Sequence, residues 1–249
     1  MDEDGNVTGI ANGTTTLTAT VLPSGRSASI TVTVSASGAP DTPTVPDTPT
    51  PTEEPAPCDG SESCPLSAFT DLNSAAWYHD GVHWALENSV MQGVGKTSFA
   101  PNETTTRAML VTMLYRLEGE PATDYEMTFT DVEEGKWYTE AIRWAAANEI
   151  VKGYNDETFG PMNELTREQL AAILYRYAKT KGQGFMGAWS FLLDYDDADQ
   201  VSDWAYEAMC WMTMQGVIRG IRERVLSSKT GATRAQVATM LMRFGALEQ

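Results

Sequence analysis

The sequence predicts a mainly α-helical protein of three helix-loop-helix units preceded by a short β segment, and three observations predict it. First, the landmarks of residues 129–176 occur once before and once after at nearly constant offsets. Moving back 60 residues takes Trp137, Trp144, Gly153, Arg167 and Arg176 to Trp77, Trp84, Gly93, Arg107 and Arg116; moving forward 67 takes them to Trp204, Trp211, Gly220, Arg234 and Arg243. That period exceeds the roughly 20 to 50 residues of solenoid repeats, so each unit is a small block that cannot bury its apolar face alone, and three can share a core. Second, apolar residues within each unit fall at helical spacing. Third, residues 16–34 alternate with period two, as strands do.

In chain order, residues 16–22 and 29–34 are the strands, with Pro23, Ser24, Gly25 and Arg26 as the turn between them. Two or three strands do not make an independently stable sheet. From Ala39 to Pro57 there are seven prolines in nineteen residues, mixed with Thr, Asp and Glu. No core forms from that composition, and a semi-stiff polyproline spacer of up to roughly 60 Å is expected. Cys58 and Cys64 enclose five residues and fit a small disulfide loop, whereas a Cys-x5-Cys pair alone is a poor zinc site. Cys210, between Met209 and Trp211 on a predicted helix, reads as a buried apolar filler.

Each repeat then reads turn, helix, turn, helix. In the second, Trp137, Ala141, Trp144, Ala145 and Asn148 form a helical stripe, which residues 148–153 stop, with Gly153 as a backbone corner. After the loop at 154–161, a second helix starts at Thr166 and carries Leu170, Ile173, Leu174 and Tyr177 on one face. The first repeat matches closely through Gly93, Phe99, Pro101 and Thr106. The third keeps the helices but replaces the middle loop with residues 221–229, where the units should differ most. Trp84, Trp144 and Trp211 belong to the helical stripes and are assigned to the core. Trp77, Trp137 and Trp204 start the helices, where a ring either packs inward or shows a face to a groove and stacks on a sugar.

The formal charge of −17, with no run of Lys or Arg, argues against a general electrostatic patch for nucleic acid or anionic membrane. Any anionic partner must be met by a few placed cations. No stretch approaches the roughly 18 apolar residues of a membrane span. Met1, Asp2, Glu3 and Asp4 do not open a signal peptide, and the expectation is a C-terminal piece of a larger exported protein.

Three placed cations stand out. Thr166 with Gln169, and Thr233 with Gln236, fit capping boxes, which puts Arg167 and Arg234 in the first helical turn; Arg107 follows Thr106 in the same way. A cation there opposes the helix macrodipole, so helix stability alone does not select it. An arginine beside free N-terminal amides suits a carboxylate or phosphate. The competing reading pairs each arginine with a carboxylate and pins one unit to the next. Asp71, Asp131 and Asp197, in matching turns, are the natural partners, and each is also an ordinary turn residue.

An F-x-D turn (Phe69 to Asp71, Phe129 to Asp131), a Trp-Tyr helix start, the loop from Gly153 through Tyr154 and Phe159 to Pro161, and a Thr-Arg helix start resemble the S-layer homology (SLH) domains of bacterial surface proteins. The resemblance covers about residues 66 to 249. It implies a pseudo-threefold bundle that anchors its protein non-covalently to the wall. The ligand it implies is secondary cell wall polymer, often with pyruvate ketals on N-acetylmannosamine, held in grooves between units. By that resemblance the ligand-binding residues are Arg107, Arg167 and Arg234, Trp77, Trp137 and Trp204, Asp71, Asp131 and Asp197, and Gly93, Gly153 and Gly220. Residues 4–20 resemble the C-terminal half of a bacterial immunoglobulin-like (BIG2-type) module. The expected division is 1–38 for that β segment, 39–65 for the linker, and 66–122, 123–182 and 183–249 for three repeats.

Two departures qualify the resemblance. The motif's glutamate is replaced by Met109, Gln169 and Gln236; glutamine keeps the capping role and Met109 loses it. The third unit lacks the G-Y-x-D-x-T-F-x-P loop, so the groove using it is expected to be altered or inactive. Of the three arginines expected to bind, Arg167 lies in the best-formed repeat. No cofactor, metal or catalytic role is expected: the acidic residues are explained by turns and solvated faces, and His79 and His83, at i and i+4, have the spacing to share a metal but are not assigned one. The expected partner is an anionic wall polysaccharide at the surface of a Gram-positive-type cell. Other copies of a surface-layer protein are the alternative, with neither nucleic acid nor membrane insertion.

Overall fold

The computed structural model describes residues 63–247 and the backbone of two strands at 13–21 and 26–34. The linker, Cys58, and most of the expected Pro23 to Arg26 turn lie outside the described residues. Strands β1 (Gly13–Val21) and β2 (Arg26–Val34) pair antiparallel, Gly13 opposite Val34 and Val21 opposite Arg26. Each begins three residues earlier than the alternation indicated, and Arg26 belongs to a strand rather than the turn.

The chain divides into two compact bodies, and among the described residues the second, which begins at Ala56, contains six α-helices: α1 (His79–Glu87), α2 (Arg107–Leu117), α3 (Thr139–Ala147), α4 (Arg167–Thr180), α5 (Asp203–Met214) and α6 (Arg234–Gly245). The sequence repeat is not the packing unit. Helix α2 packs on α3, α4 on α5, and α6 returns to α1, so each helix finds its main partner in the neighbouring repeat. The first and last helices thereby close a ring.

The segments leading into α2, α4 and α6 meet at the centre of that ring through isolated bridges. Thr105 N–H donates to the carbonyl of Ala232, Ala232 N–H to Leu165, and Leu165 N–H to Thr105, at 2.8, 2.8 and 2.9 Å. All three residues are fully buried, so the cycle satisfies backbone groups that water cannot reach. The capping sequences act as read. Thr166 with Gln169 and Thr233 with Gln236 form complete capping boxes, while Thr106 caps α2 without a reciprocal bond from Met109.

The helix stops differ from expectation. Residues with left-handed backbone end α1, α3 and α5: Ser89 (φ 57°), Glu149 (φ 55°) and Gly216 (φ 70°). The following amides of Val90, Ile150 and Val217 reach back to Ala85, Ala145 and Met212, the bonding pattern of a Schellman stop. Gly153 lies beyond that stop and is needed for a different reason. A Cβ there would come within 2.2 Å of the Asn155 carbonyl oxygen and 2.8 Å of the Phe129 ring.

Trp144 and Trp211 are core residues, as expected, but Trp84 is only half buried. Leu170, Ile173, Leu174 and Tyr177 are buried together on α4. Among the described residues no helix is long and apolar enough to cross a membrane.

Candidate ligand-binding grooves

Arg107, Arg167 and Arg234 occupy the first position of α2, α4 and α6 and are almost wholly buried. Each reaches into the next repeat. Arg107 donates from Nε to the Phe159 carbonyl (2.9 Å) and from Nη2 to Lys152 (2.8 Å); Arg167 to Leu226 (2.8 Å) and Arg219 (2.7 Å); Arg234 to Phe99 (2.8 Å) and Gln92 (2.7 Å). The arginines are therefore inter-repeat pins, and their partners are carbonyl oxygens rather than carboxylates. The adjoining helix amides are also engaged. Arg107 and Ala108 N–H donate to Asn163 and Pro161, Arg167 and Glu168 to Thr230 and Ser228, and Arg234 and Ala235 to Glu103 and Pro101. The expected free amides are absent at these positions because the next repeat's loop already satisfies them.

The aspartates complete the device without touching the arginines. Asp131 accepts from the amides of Phe159 (2.8 Å) and Gly160 (2.7 Å), Asp71 from Phe99 (2.9 Å) and Ala100 (2.8 Å), and Asp197 from Leu226 and Ser227 (both 2.8 Å). One peptide residue thus joins each pair: Phe159 donates its amide to Asp131 and offers its carbonyl to Arg107. Phe99 does the same between Asp71 and Arg234, and Leu226 between Asp197 and Arg167. The negative charge polarises the residue whose carbonyl the arginine reads, which strengthens both bonds.

Burial lowers the pKa of all three arginines, that of Arg167 to about 10. The fields of Tyr195 and Asp197 oppose that shift for Arg167. All three stay cationic at neutral pH. Asp71 and Asp197 are affected first by burial, which raises their pKa; the backbone bonds outweigh it and hold both below the usual carboxylate value.

Two of the pins, Arg167 and Arg234, border grooves assembled from all three repeats. The largest that contains a pin, about 430 Å³, is lined by Arg167, by Arg219, Gly220 and Ile221 of the third repeat's loop, by Gln236, Met240 and Arg243 of α6, and by Trp77 of the first repeat. Its counterpart of about 190 Å³ brings Arg234 together with Gly93, Arg116 and Trp137. Beside Arg107 the arrangement differs: Tyr154 and Phe159 rings lie 4.8 and 4.5 Å from its guanidinium, and the nearby cavity is lined by Lys152, Arg176 and Lys179 without Arg107. Trp77, Trp137 and Trp204 are all more than half exposed, so their rings are available rather than core. Trp77 and Trp137 each precede their helix by two residues, and Trp204 sits in the first turn of α5.

Three points correct or extend the sequence reading. The altered third loop keeps its framework: Ile221 N–H donates to Val225 O as Tyr154 does to Thr158, and Asp197 holds the loop amides as Asp131 does. The loop that meets Arg167 is that third loop, not the intact one of its own repeat. The second arginine set, Arg116, Arg176 and Arg243, was visible only as a repeat landmark. Each lies nine residues after a pin, two and a half helical turns away, so one helix presents its two arginines to different grooves.

A sequence model of the S-layer homology domain matches residues 68–108, 128–171 and 194–238, more than half of the chain. Similar curated proteins include an amylopullulanase of Thermoanaerobacterium thermosulfurigenes, 30% identical over 176 residues, covering 70% of this chain and 9% of that protein. A surface-layer 125 kDa protein of Lysinibacillus sphaericus is 30% identical over 152 residues, covering 60% and 12%. A cellulosome-anchoring protein of Acetivibrio thermocellus is 29% identical over 144 residues, covering 56% and 31%. The chain spans less than a third of the length of each of these relatives. With three matched segments in tandem, and the same arginine pin and aspartate-held loop in each repeat, the chain belongs to the S-layer homology domain family.

Proposed function

We propose that this chain anchors a bacterial surface protein non-covalently to the cell wall by binding an anionic, pyruvylated secondary cell wall polysaccharide in the grooves between repeats. One observation carries the reading. In a chain of charge −17, the groove beside Arg167 gathers Arg167, Arg219 and Arg243 with the exposed ring of Trp77, and among the described residues no carboxylate lines it. An anionic saccharide matches that lining: guanidinium groups fork onto a carboxylate, and an indole face packs on a sugar ring. The names of the surface-layer and cellulosome-anchoring relatives agree with a wall-anchoring role. The module works by binding, without catalysis, at the outside of a Gram-positive-type cell. Several weak grooves acting on one polymer raise the overall affinity through multivalency.

The pinned arginines favour a second reading, in which they serve assembly into a surface layer rather than ligand capture. Co-sedimentation of the purified chain with wall sacculi decides between them. Binding that is lost when pyruvate is removed supports the anchor; lattice formation without wall, indifferent to pyruvate, overturns it.

A further inference from the structure

The ligand grooves leave unexplained a cluster on the other side of the first repeat's sequence landmarks. Cys64 caps the short 3-10 helix Pro65–Ala68, which packs against α1, and α1 carries His79 and His83 one turn apart. The Cys64 sulfur lies 3.5 Å from His79 Nε2 and 3.7 Å from His83 Nδ1, and the three atoms all fall within 4.8 Å of one another. Bond lengths of about 2.3 Å to sulfur and 2.0 to 2.1 Å to nitrogen at tetrahedral angles place sulfur and nitrogen ligands of one zinc ion about 3.6 Å apart. Both sulfur–nitrogen edges already have that length.

The far nitrogens are equally telling. His79 Nδ1 lies 2.9 Å from Asp80 Oδ1, and His83 Nε2 lies 3.6 Å from Glu87 Oε2. At His79 the carboxylate on the outer nitrogen fixes the tautomer, turns the lone pair of the inner nitrogen inward and raises its basicity, which is the usual support of a metal-bound histidine, while Glu87 adds a negative charge near His83 without a hydrogen bond. Cys64 and His79 are buried, and His83 is partly exposed, so an ion has a route in from the His83 side.

We propose that Cys64, His79 and His83 bind one zinc ion, or another thiophilic divalent cation of the same class, and so fasten the chain entering the first repeat to α1. A thiolate with two imidazoles selects such ions over calcium or magnesium. On binding, Cys64 releases its thiol proton to solvent while both imidazoles enter neutral, so one proton leaves per ion bound. Because α1 also closes the ring with α6, the site braces the seam between the first and last helices.

The test uses the full chain, reduced and stripped of metal, and zinc and cobalt salts as probes. One equivalent of zinc should be taken from a chromophoric chelator. Cobalt should give a thiolate charge-transfer band with the intense visible bands of tetrahedral coordination, and zinc should raise the thermal midpoint. Cys64→Ser should abolish the charge-transfer band while the helical circular dichroism persists. Asp80→Asn, at an exposed position that does not threaten the fold, should weaken zinc affinity by about 10- to 100-fold. A cobalt spectrum without the thiolate band, binding unchanged in Cys64→Ser, or a Cys58–Cys64 disulfide that persists in the purified protein and blocks uptake would overturn the proposal.

Discussion

The grooves beside Arg107 and Arg167 are built on one plan and finished differently. Both arginines donate to two carbonyls of the next repeat, through nearly the same distances. Around Arg107 the intact loop supplies Tyr154 and Phe159, whose rings cover the guanidinium. Around Arg167 the third loop supplies Ile221 and Leu226 instead, and among the described residues no ring lies over the cation. The loop that best fits the family pattern therefore lays two rings on its arginine, while the rebuilt loop borders the groove of about 430 Å³, with Arg167 itself buried in its wall. Conformity to a motif reports how well a repeat is framed; the departures change what lines the space beside it.

The largest expected effects test whether the pins are equivalent. Arg167→Ala should cost about 3 kcal/mol or more in urea denaturation, since two hydrogen bonds from a charged group contribute roughly 1.5 to 3 kcal/mol each. Arg107→Ala should cost about 1 kcal/mol beyond that, because it also loses its ring contacts. Equal losses would break the distinction. Changing all three pins to Ala should unfold the module, so failure of that variant to bind wall says nothing about ligand contact.

A cleaner comparison uses the exposed rings. Trp77→Ala should weaken wall binding roughly tenfold, a loss of about 1.4 kcal/mol, while changing stability by less than about 0.5 kcal/mol. Trp204→Ala, whose ring lines neither the Arg167 nor the Arg234 groove, should leave sedimentation with sacculi nearly unchanged. A smaller gain is expected from Tyr154→Ala: uncovering Arg107 should raise wall binding about two- to threefold, roughly 0.5 kcal/mol. If that variant binds more weakly, Tyr154 is a ligand contact rather than a cover.

The smallest effect concerns acid. Asp197 and Asp71 have folded-state pKa values below the unfolded value of about 3.9, so their contribution is complete above that pH and lost as pH falls through the lowered folded values. Asp197→Asn should be less stable at neutral pH and show a flatter decline below about pH 4. An unchanged acid profile would remove Asp197 from the account of how the Arg167 loop is held.

Much of this was legible in residues. Landmark spacing located three repeats, Thr166 with Gln169 announced a capping box, and Met109 announced its absence. What local pattern could not reveal is which repeat meets which. Helix pairing across repeat boundaries, the Phe159 link between Asp131 and Arg107, and the match of Arg167 with a loop 52 and more residues away are tertiary facts. Glu149 ended its helix although glutamate rarely adopts positive φ, because the Schellman bonds and the burial of Ile150 outweigh that preference. Sequence spacing pairs Cys64 with Cys58 and His79 with His83; the fold groups Cys64 with both histidines.

The cycle of hydrogen bonds among Thr105, Leu165 and Ala232 has an arithmetic consequence. A solenoid accepts another repeat at either end, because its stacking never meets itself. Here each repeat hands its second helix to the next and the last hands back to the first, so the count is fixed at three. A fourth unit finds no open seam, and a chain of one or two can reach the same closure only by recruiting the missing members from other molecules.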